Sequence, residues 1–330
     1  MKKRLVDLRS QEPLLDIVSY GRGGRRTMTP AQRDQIARTT GRVPEVMVKV
    51  SGGARTLAGV ERHMDYVSRK GELGMESDTG ERLRSRGFEA DLIRDWNLDL
   101  EAHQRQNQRS IRAGRKPPKL VHNVIFSMPP GTPPEAVLLA VRKLAVEKFA
   151  LKHRYAMVLH TDEPHPHVHL VVKAMSERGE RLNIRKATLR EWRQQFATNL
   201  RQLGVAANAT ERAVRGETRT RKSDGIFRAS KRGESTHMRD LVQRVAADIA
   251  KGSVTPEQGR VKLSATRKVV VDGWRAVSDR LKDDGYAELA KQVDIFIDRM
   301  PSVQTEKERV LEQLRRPTRT RQVQPPHRTR

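Results

Sequence analysis

Cysteine is absent from this chain, which excludes disulfides, thiolate metal ligands and cysteine nucleophiles and suits a reducing compartment. A run of about 18 apolar residues able to span a bilayer is also missing, and the opening "MKKRLVDLRS" lacks the apolar stretch of a secretory signal. Together these absences predict a soluble cytoplasmic protein. Aromatics make up only 4% of the residues, so each of the four tyrosines can be weighed individually as a source of a phenolic hydroxyl. Acid is in short supply too: 40 Asp and Glu face 66 Lys and Arg, a formal charge of +26. Self-repulsion on that scale is tolerated when the partner is a polyanion, and nucleic acid is the first candidate. The phosphate-loop pattern of Gly, four residues, Gly, Lys and Ser or Thr does not occur, which argues against nucleotide hydrolysis.

What is present divides the chain into five stretches. Residues 1–45 are basic and glycine-bearing and read as a loosely ordered N-terminal arm. Residues 46–215 alternate strand and helix signals. "VMVKV" (46–50), "LVHNVIFSM" (120–128), "YAMVLHTD" (155–162) and "HVHLVVKA" (167–174) are β-branched and alternating, while 56–70, 88–111, 133–151 and 186–203 carry helical periodicity. This is the pattern of an α+β or α/β domain. A basic linker is expected over 216–234, then amphipathic helices at about 235–251, 273–299 and 303–315 within a helical region spanning 235–315. The last stretch, 316–330, closes "RRPTRTRQVQPPHRTR", with six arginines and three prolines, and reads as a disordered tail.

The chemistry concentrates in "AMVLHTDEPHPHVHLVVK" (156–173), which holds four of the ten histidines. The prolines of "EPHP" predict a four-residue turn from Glu163 to Pro166 in an antiparallel hairpin, with residue 162 opposite 167 and 160 opposite 169. Side chains alternate across a strand, so His160, Asp162, His167 and His169 share one face, while Met157, Leu159, Val168, Leu170 and Val172 share the other. Three imidazoles then converge on one divalent cation, with coordination positions left for water or substrate. The donor set suits Mg²⁺, Mn²⁺ or Zn²⁺ without choosing between them. Asp162, opposite His167 in this register, is placed to accept a second ring N–H. Two readings of His165, on the turn, stay open: substrate contact and plain exposure.

An open-site metal polarises phosphoryl oxygens, which makes a basic protein a candidate for phosphodiester chemistry. The remaining nucleophiles are water, serine and tyrosine. In "TLAGVERHMDYVSRKG" the apolar stripe is Leu57, Val60, Met64 and Val67, and Tyr66 projects from the opposite side between Arg62 and Arg69. Cationic neighbours favour phenolate and grip phosphate. An exposed tyrosine without chemistry fits the same residues equally well.

The run "HTDEPHPHVHLVV", with "HMDYVSRKG" and "HNVIFSMPPGT" upstream, resembles the relaxases of conjugative and mobilizable elements, in particular the branch that includes the agrobacterial T-DNA border endonuclease. These belong to the HUH endonuclease superfamily. The resemblance spans about residues 46–215 and implies an antiparallel sheet palm with flanking helices, here followed by a helical C-terminal region. By that likeness Tyr66 matches the nucleophile that attacks a scissile phosphate at an origin of transfer, and His160, His167 and His169 match the metal triad. Asp162 matches the acidic residue that orients a histidine or assists tyrosine deprotonation, and Ser127 matches a motif serine that holds DNA beside the nick.

The resemblance further implies single-stranded or extruded origin DNA as substrate, accessory relaxosome proteins, and a type IV secretion coupling protein. It also implies translocation with the DNA into a recipient cell, and the arginine-rich tail resembles the secretion signals of such proteins. Two other classes stay open. One is a metal-dependent hydrolase without a covalent intermediate; the other is a nonenzymatic DNA-binding mobilization accessory protein.

Overall fold

The computed structural model describes residues 28–84, 87–98, 101–217, 224–252 and 257–315. The outer part of the expected arm (1–27), the tail (316–330) and residues 218–223 of the expected linker lie outside the described residues. The chain forms two compact units, one of residues 41–210 and one that joins residues up to Thr40 with those from Glu211 onward.

In residues 41–210 the strands β1 (Met47–Ala54), β2 (Met75–Ser77), β3 (Arg82–Leu83), β4 (Val121–Ser127), β5 (Tyr155–His160) and β6 (His167–Lys173) form one sheet in the order β1-β4-β6-β5-β2-β3. Every pairing is antiparallel. The central strands are buried on both faces, and each face has its own helices. Val124, Phe126, Met157, Val168, Leu170 and Val172 pack beneath α5 (Pro134–Phe149) and α6 (Lys186–Gln202). There Phe126 meets Phe196 edge-on at 5.3 Å and Phe149 meets Trp192 at 5.4 Å. The alternate positions Val121, Ala156, Val158 and Val171 turn the other way, toward α2 (Leu57–Ser68) and α3 (Phe88–Asp95). Each such fully buried apolar side chain contributes about 1.5–3 kcal/mol.

Helix α2 decides where Tyr66 points. Its apolar stripe is driven into this second core, with Val60, Met64 and Val67 all at 0% exposure, and the opposite side therefore faces solvent. Thr56 caps its start, accepting from the Gly59 N–H at 3.2 Å. Its end is abrupt: Arg69, Lys70 and Gly71 have φ of 53°, 58° and 80°. Glycine takes this left-handed conformation freely, but Arg69 and Lys70 do so against their side chains. One strand in from the β3 edge, Arg142 on α5 grips Glu76 of β2 with two bonds of 2.6 and 2.7 Å, a bidentate geometry that fixes register as well as charge.

The second unit is helical: α1 (Pro30–Thr40), α7 (Asp224–Lys231), α8 (Thr236–Ala250), α9 (Gln258–Asp283), α10 (Ala287–Asp298) and α11 (Glu306–Arg315). Ile36 of α1 shares a core with Trp274, Val277, Leu281, Val293 and Phe296. The arm thus includes a packed helix, since Met28 and Ile36 provide apolar side chains among the basic residues. The region 216–234 likewise contains α7.

Two expected helices are split. The span 88–111 is α3 and α4 (Glu101–Arg112), interrupted where Asn97 adopts φ 51°. The helix expected over 273–299 is the end of α9 and all of α10, separated at Gly285, whose φ of 83° lets the chain reverse. The strands β2 and β3 were too short to show periodicity. Among the described residues no helix is long and apolar enough to cross a membrane.

Candidate metal centre and nucleophile

The site forms at one end of the β5–β6 hairpin, on the face covered by α2. His160 pairs with His167 and Val158 with His169. The expected register was therefore two residues out: the connection runs from Thr161 to Pro166 and is longer than the four-residue turn. A shift of two preserves the face of every side chain, so the imidazoles still converge. The ring centroids of His160 and His169 are 4.5 Å apart, those of His160 and His167 5.0 Å, and those of His167 and His169 5.3 Å. One ligand nitrogen from each ring falls within 4.8 Å of the others, close enough for one cation to be shared.

His167 Nδ1 lies 2.9 Å from the His165 carbonyl and His160 Nε2 lies 2.7 Å from the Val67 carbonyl, so both rings donate there and keep a lone pair on the other nitrogen; that of His160 faces Arg69 Nη2 at 3.4 Å, a contact a cation bound there would replace. His169 Nδ1 lies 3.0 Å from Asn123 Nδ2. Burial pushes the His160 imidazolium below its usual range, and burial with the neighbouring His160 and His167 rings takes His169 down to about 3. Neutral imidazole is the form that binds a cation. The donor set therefore fits a divalent ion.

Asp162 corrects the second expectation. It sits in the connection and not on β5, and it reaches Arg69 at 2.6 Å; its Oδ1 is 3.7 Å from His160 Nδ1. His167, its expected partner, is served by a backbone carbonyl. The Arg69 guanidinium holds the Asp162 carboxyl below the usual carboxylate range, and Asp162 in turn raises Arg69.

Arg69 is the hub of the arrangement. Its Nη2 lies 3.4 Å from His160 Nδ1, and its Cζ sits 5.5 Å from the centroid of the Tyr66 ring, within cation–π range. Tyr66 itself is 61% exposed on the solvent side of α2, as the apolar stripe required. The left-handed backbone at Arg69 turns its side chain back from the helix end toward the hairpin connection. Arg62 lies on the exposed face of α2 one turn earlier. Ser127 is buried next to His167 across the β4–β6 pairing, and the His165 side chain is exposed. Sequence reasoning missed Asn123, a buried amide two strand positions from Ile125, the residue that pairs with His169. A polar residue in the middle of an otherwise apolar strand was the available signal.

A family model described as "Relaxase: MobA/VirD2-like, nuclease domain" matches residues 66–204. The T-DNA border endonuclease VirD2 of Agrobacterium fabrum (strain C58 / ATCC 33970) is 26% identical over 216 residues, covering 59% of this chain and 46% of that protein. The protein of the same name from Rhizobium radiobacter is 27% identical over 184 residues, covering 52% and 43%. The chain spans less than half the length of these relatives. A solved structure titled "Molecular Basis of Vancomycin Resistance Transfer in Staphylococcus aureus" gives a TM-score of 0.33 at 13% identity, over 51% of this chain and 98% of that one. That likeness carries no weight. The family match opens on Tyr66 itself and takes in all three imidazoles: residues 66–204 are similar to the nuclease domain of MobA/VirD2-like relaxases.

Proposed function

We propose that this protein is a DNA relaxase that nicks one strand at an origin of transfer by tyrosine transesterification and rejoins it later. The observation that carries the reading is Arg69, which lies against the Tyr66 ring while touching His160 and Asp162. One guanidinium links the candidate nucleophile to the candidate metal centre.

The Tyr66 oxygen, its proton given up to solvent, attacks the scissile phosphorus; the bond to the 3′ oxygen breaks, that oxygen takes a proton from solvent and leaves as a 3′ hydroxyl, and the 5′ phosphate stays on the tyrosine. A divalent ion on His160, His167 and His169 would draw charge from the non-bridging oxygens. Arg69, fixed by its bond to Asp162, presents donors where negative charge accumulates. Asp162 is best assigned to holding Arg69 and the neighbouring His160, because a carboxyl stabilised in its ionised form is a weak acceptor for the phenolic proton. Since a phosphotyrosyl diester keeps the reactivity of the original linkage, the same groups run the reverse step. A tyrosine serves that purpose where water would not.

Arg62, Ser127 and His165 are assigned to contacts with the DNA strand. The charge of +26 supports DNA held through its phosphates; that strand is assigned as single-stranded or extruded, so that the tyrosine can reach its phosphate. Accessory relaxosome proteins and a type IV secretion coupling protein belong to the same proposal, as does passage with the DNA into a recipient cell.

The test is incubation with labelled origin oligonucleotide and Mg²⁺ or Mn²⁺, followed by denaturing electrophoresis. The relaxase reading expects a protein–DNA adduct that chelator prevents and that Tyr66→Phe abolishes while DNA binding persists. Free cleaved product without adduct would establish a hydrolase instead.

A further inference from the structure

Two of the three imidazoles are oriented by backbone carbonyls, and the third is not. His169 Nδ1 faces the side chain of Asn123, which is only 2% exposed. The same amide nitrogen lies 2.8 Å from Ser51 Oγ. Ser51 is brought there by a break in the β1–β4 register between Val50 and Gly52, a bulge of the kind that redirects a side chain beside a site. Glycine is required just past it. Gly53 has φ 129°, and a Cβ there would stand 2.1 Å from the Val121 carbonyl oxygen. Lys119 holds the bulge from outside, its Nζ donating to the Gly52 carbonyl at 2.8 Å.

The amide has two ends, and they have opposite consequences. With Nδ2 toward the ring, His169 Nδ1 must accept, the proton sits on Nε2, and that nitrogen has no lone pair for a cation. Asn123 Oδ1 is then left buried with no partner among the described residues. Turning the amide places its oxygen within hydrogen-bond reach of both His169 Nδ1 and the Ser51 hydroxyl. The ring then donates through Nδ1, the hydroxyl donates as well, and Nε2 is free to coordinate. Turning also exchanges which end of the amide lacks a partner, so coordination, and not the amide's own bonding, decides between the two.

We infer that Asn123, set by Ser51 on the β1 bulge, is a positioning residue for His169: in the metal-loaded protein its carbonyl oxygen accepts from His169 Nδ1–H and commits Nε2 to the ion. The inference rests on the metal-centre reading and assigns a residue to it that neither the histidine motif nor the tyrosine motif contains.

Titration calorimetry with Zn²⁺ on the full chain tests it, comparing wild type, Asn123→Asp and Asn123→Leu. Asp keeps an acceptor and has no donor; Leu keeps the volume and has neither. Loss of an outer partner of a ligating histidine typically weakens metal binding by about 10–100-fold, the loss expected for Asn123→Leu, with Asn123→Asp within about threefold of wild type or tighter. In ¹H–¹⁵N spectra of the Zn²⁺-loaded protein the His169 Nδ1–H signal should persist in Asn123→Asp and vanish in Asn123→Leu, which a merely structural amide would not produce. Ser51→Ala, which leaves Asn123 in place, supplies a milder variant should Asn123→Leu fail to fold, and it should weaken Zn²⁺ by several-fold.

Wild-type affinity in both Asn123→Leu and Ser51→Ala, or an Asp variant as weak as the Leu variant, would overturn the inference while leaving the metal centre intact. Wild type that takes up no Zn²⁺ would overturn the metal centre and this inference together.

Discussion

Arg69 Nη2 lies 2.6 Å from Asp162 Oδ2, across 93 residues of sequence, and this contact ties the end of α2 to the connection between β5 and β6. Both partners are partly exposed, so the pair adds little to stability. Its consequence is positional. The guanidinium that Asp162 holds is the one that lies against Tyr66 and beside His160.

Replacing Arg69 therefore separates binding from chemistry. For Arg69→Ala, adduct formation in single-turnover assays should slow by about a hundredfold, the scale of losing one donor to a developing charge, with oligonucleotide affinity changed far less. Arg69→Lys should recover only part of the rate, because an ammonium lacks the planar fork that reaches Asp162 and phosphate together. Equal losses in affinity and rate would reduce Arg69 to a general phosphate contact.

Removal of any one imidazole breaks the triad. His160→Ala, His167→Ala and His169→Ala should each abolish measurable Mn²⁺ uptake and metal-dependent nicking, while far-ultraviolet circular dichroism stays that of wild type. His160 and His169 are 1% and 6% exposed, and burial disfavours the charged form of both rings. Uptake that survives loss of two rings would place the cation elsewhere.

His122 gives a pH dependence unrelated to the reaction. Burial, and then Lys119, Arg181, Arg55 and His153, depress this imidazole to about 4 from its ordinary 6.5. Its Nδ1 is buried with no hydrogen-bond partner among the described residues. The unfolded chain takes up a proton near pH 6.5, which the folded chain refuses until about pH 4. The stability it contributes is present in full above pH 6.5 and is lost as pH falls toward 4. In urea titrations His122→Gln should gain on wild type steadily through that window. A constant difference between the two at all pH values would contradict this.

The arginine-rich end makes a separate prediction. Deleting residues 315–330 should leave nicking of origin DNA unchanged and block transfer to recipient cells, measured as mating frequency. Impaired nicking would show that the tail serves DNA binding in the donor.

Much of this architecture was legible because alternation is a direct consequence of strand geometry. The four longest strands were placed within a few residues, and the face shared by His160, His167 and His169 followed from parity alone. Register was not legible, because "EPHP" shows where a turn lies without showing how many flanking residues leave the ladder. Asp162 fell on the wrong side of that boundary and so was given His167 in place of Arg69. Tyr66 could be placed on the solvent side of α2 from its apolar stripe, whereas the left-handed turn at Arg69 and Lys70 had no signal short of Gly71. Asn123 was hidden for another reason: its partners, Ser51 and His169, lie 72 and 46 residues away, and only the folded sheet brings them together.

Tyr66 is the residue on which the proposed mechanism turns, because in that proposal its oxygen takes the DNA. Trypsin cuts after Arg62 and Arg69, releasing "HMDYVSR", a peptide with a single tyrosine. After reaction with origin oligonucleotide and nuclease trimming, mass spectrometry should find the residual nucleotide on that peptide through a phosphotyrosyl bond. A covalent adduct mapped instead to the peptide bearing Tyr20, Tyr155 or Tyr286, or an adduct that persists in Tyr66→Phe, would contradict it.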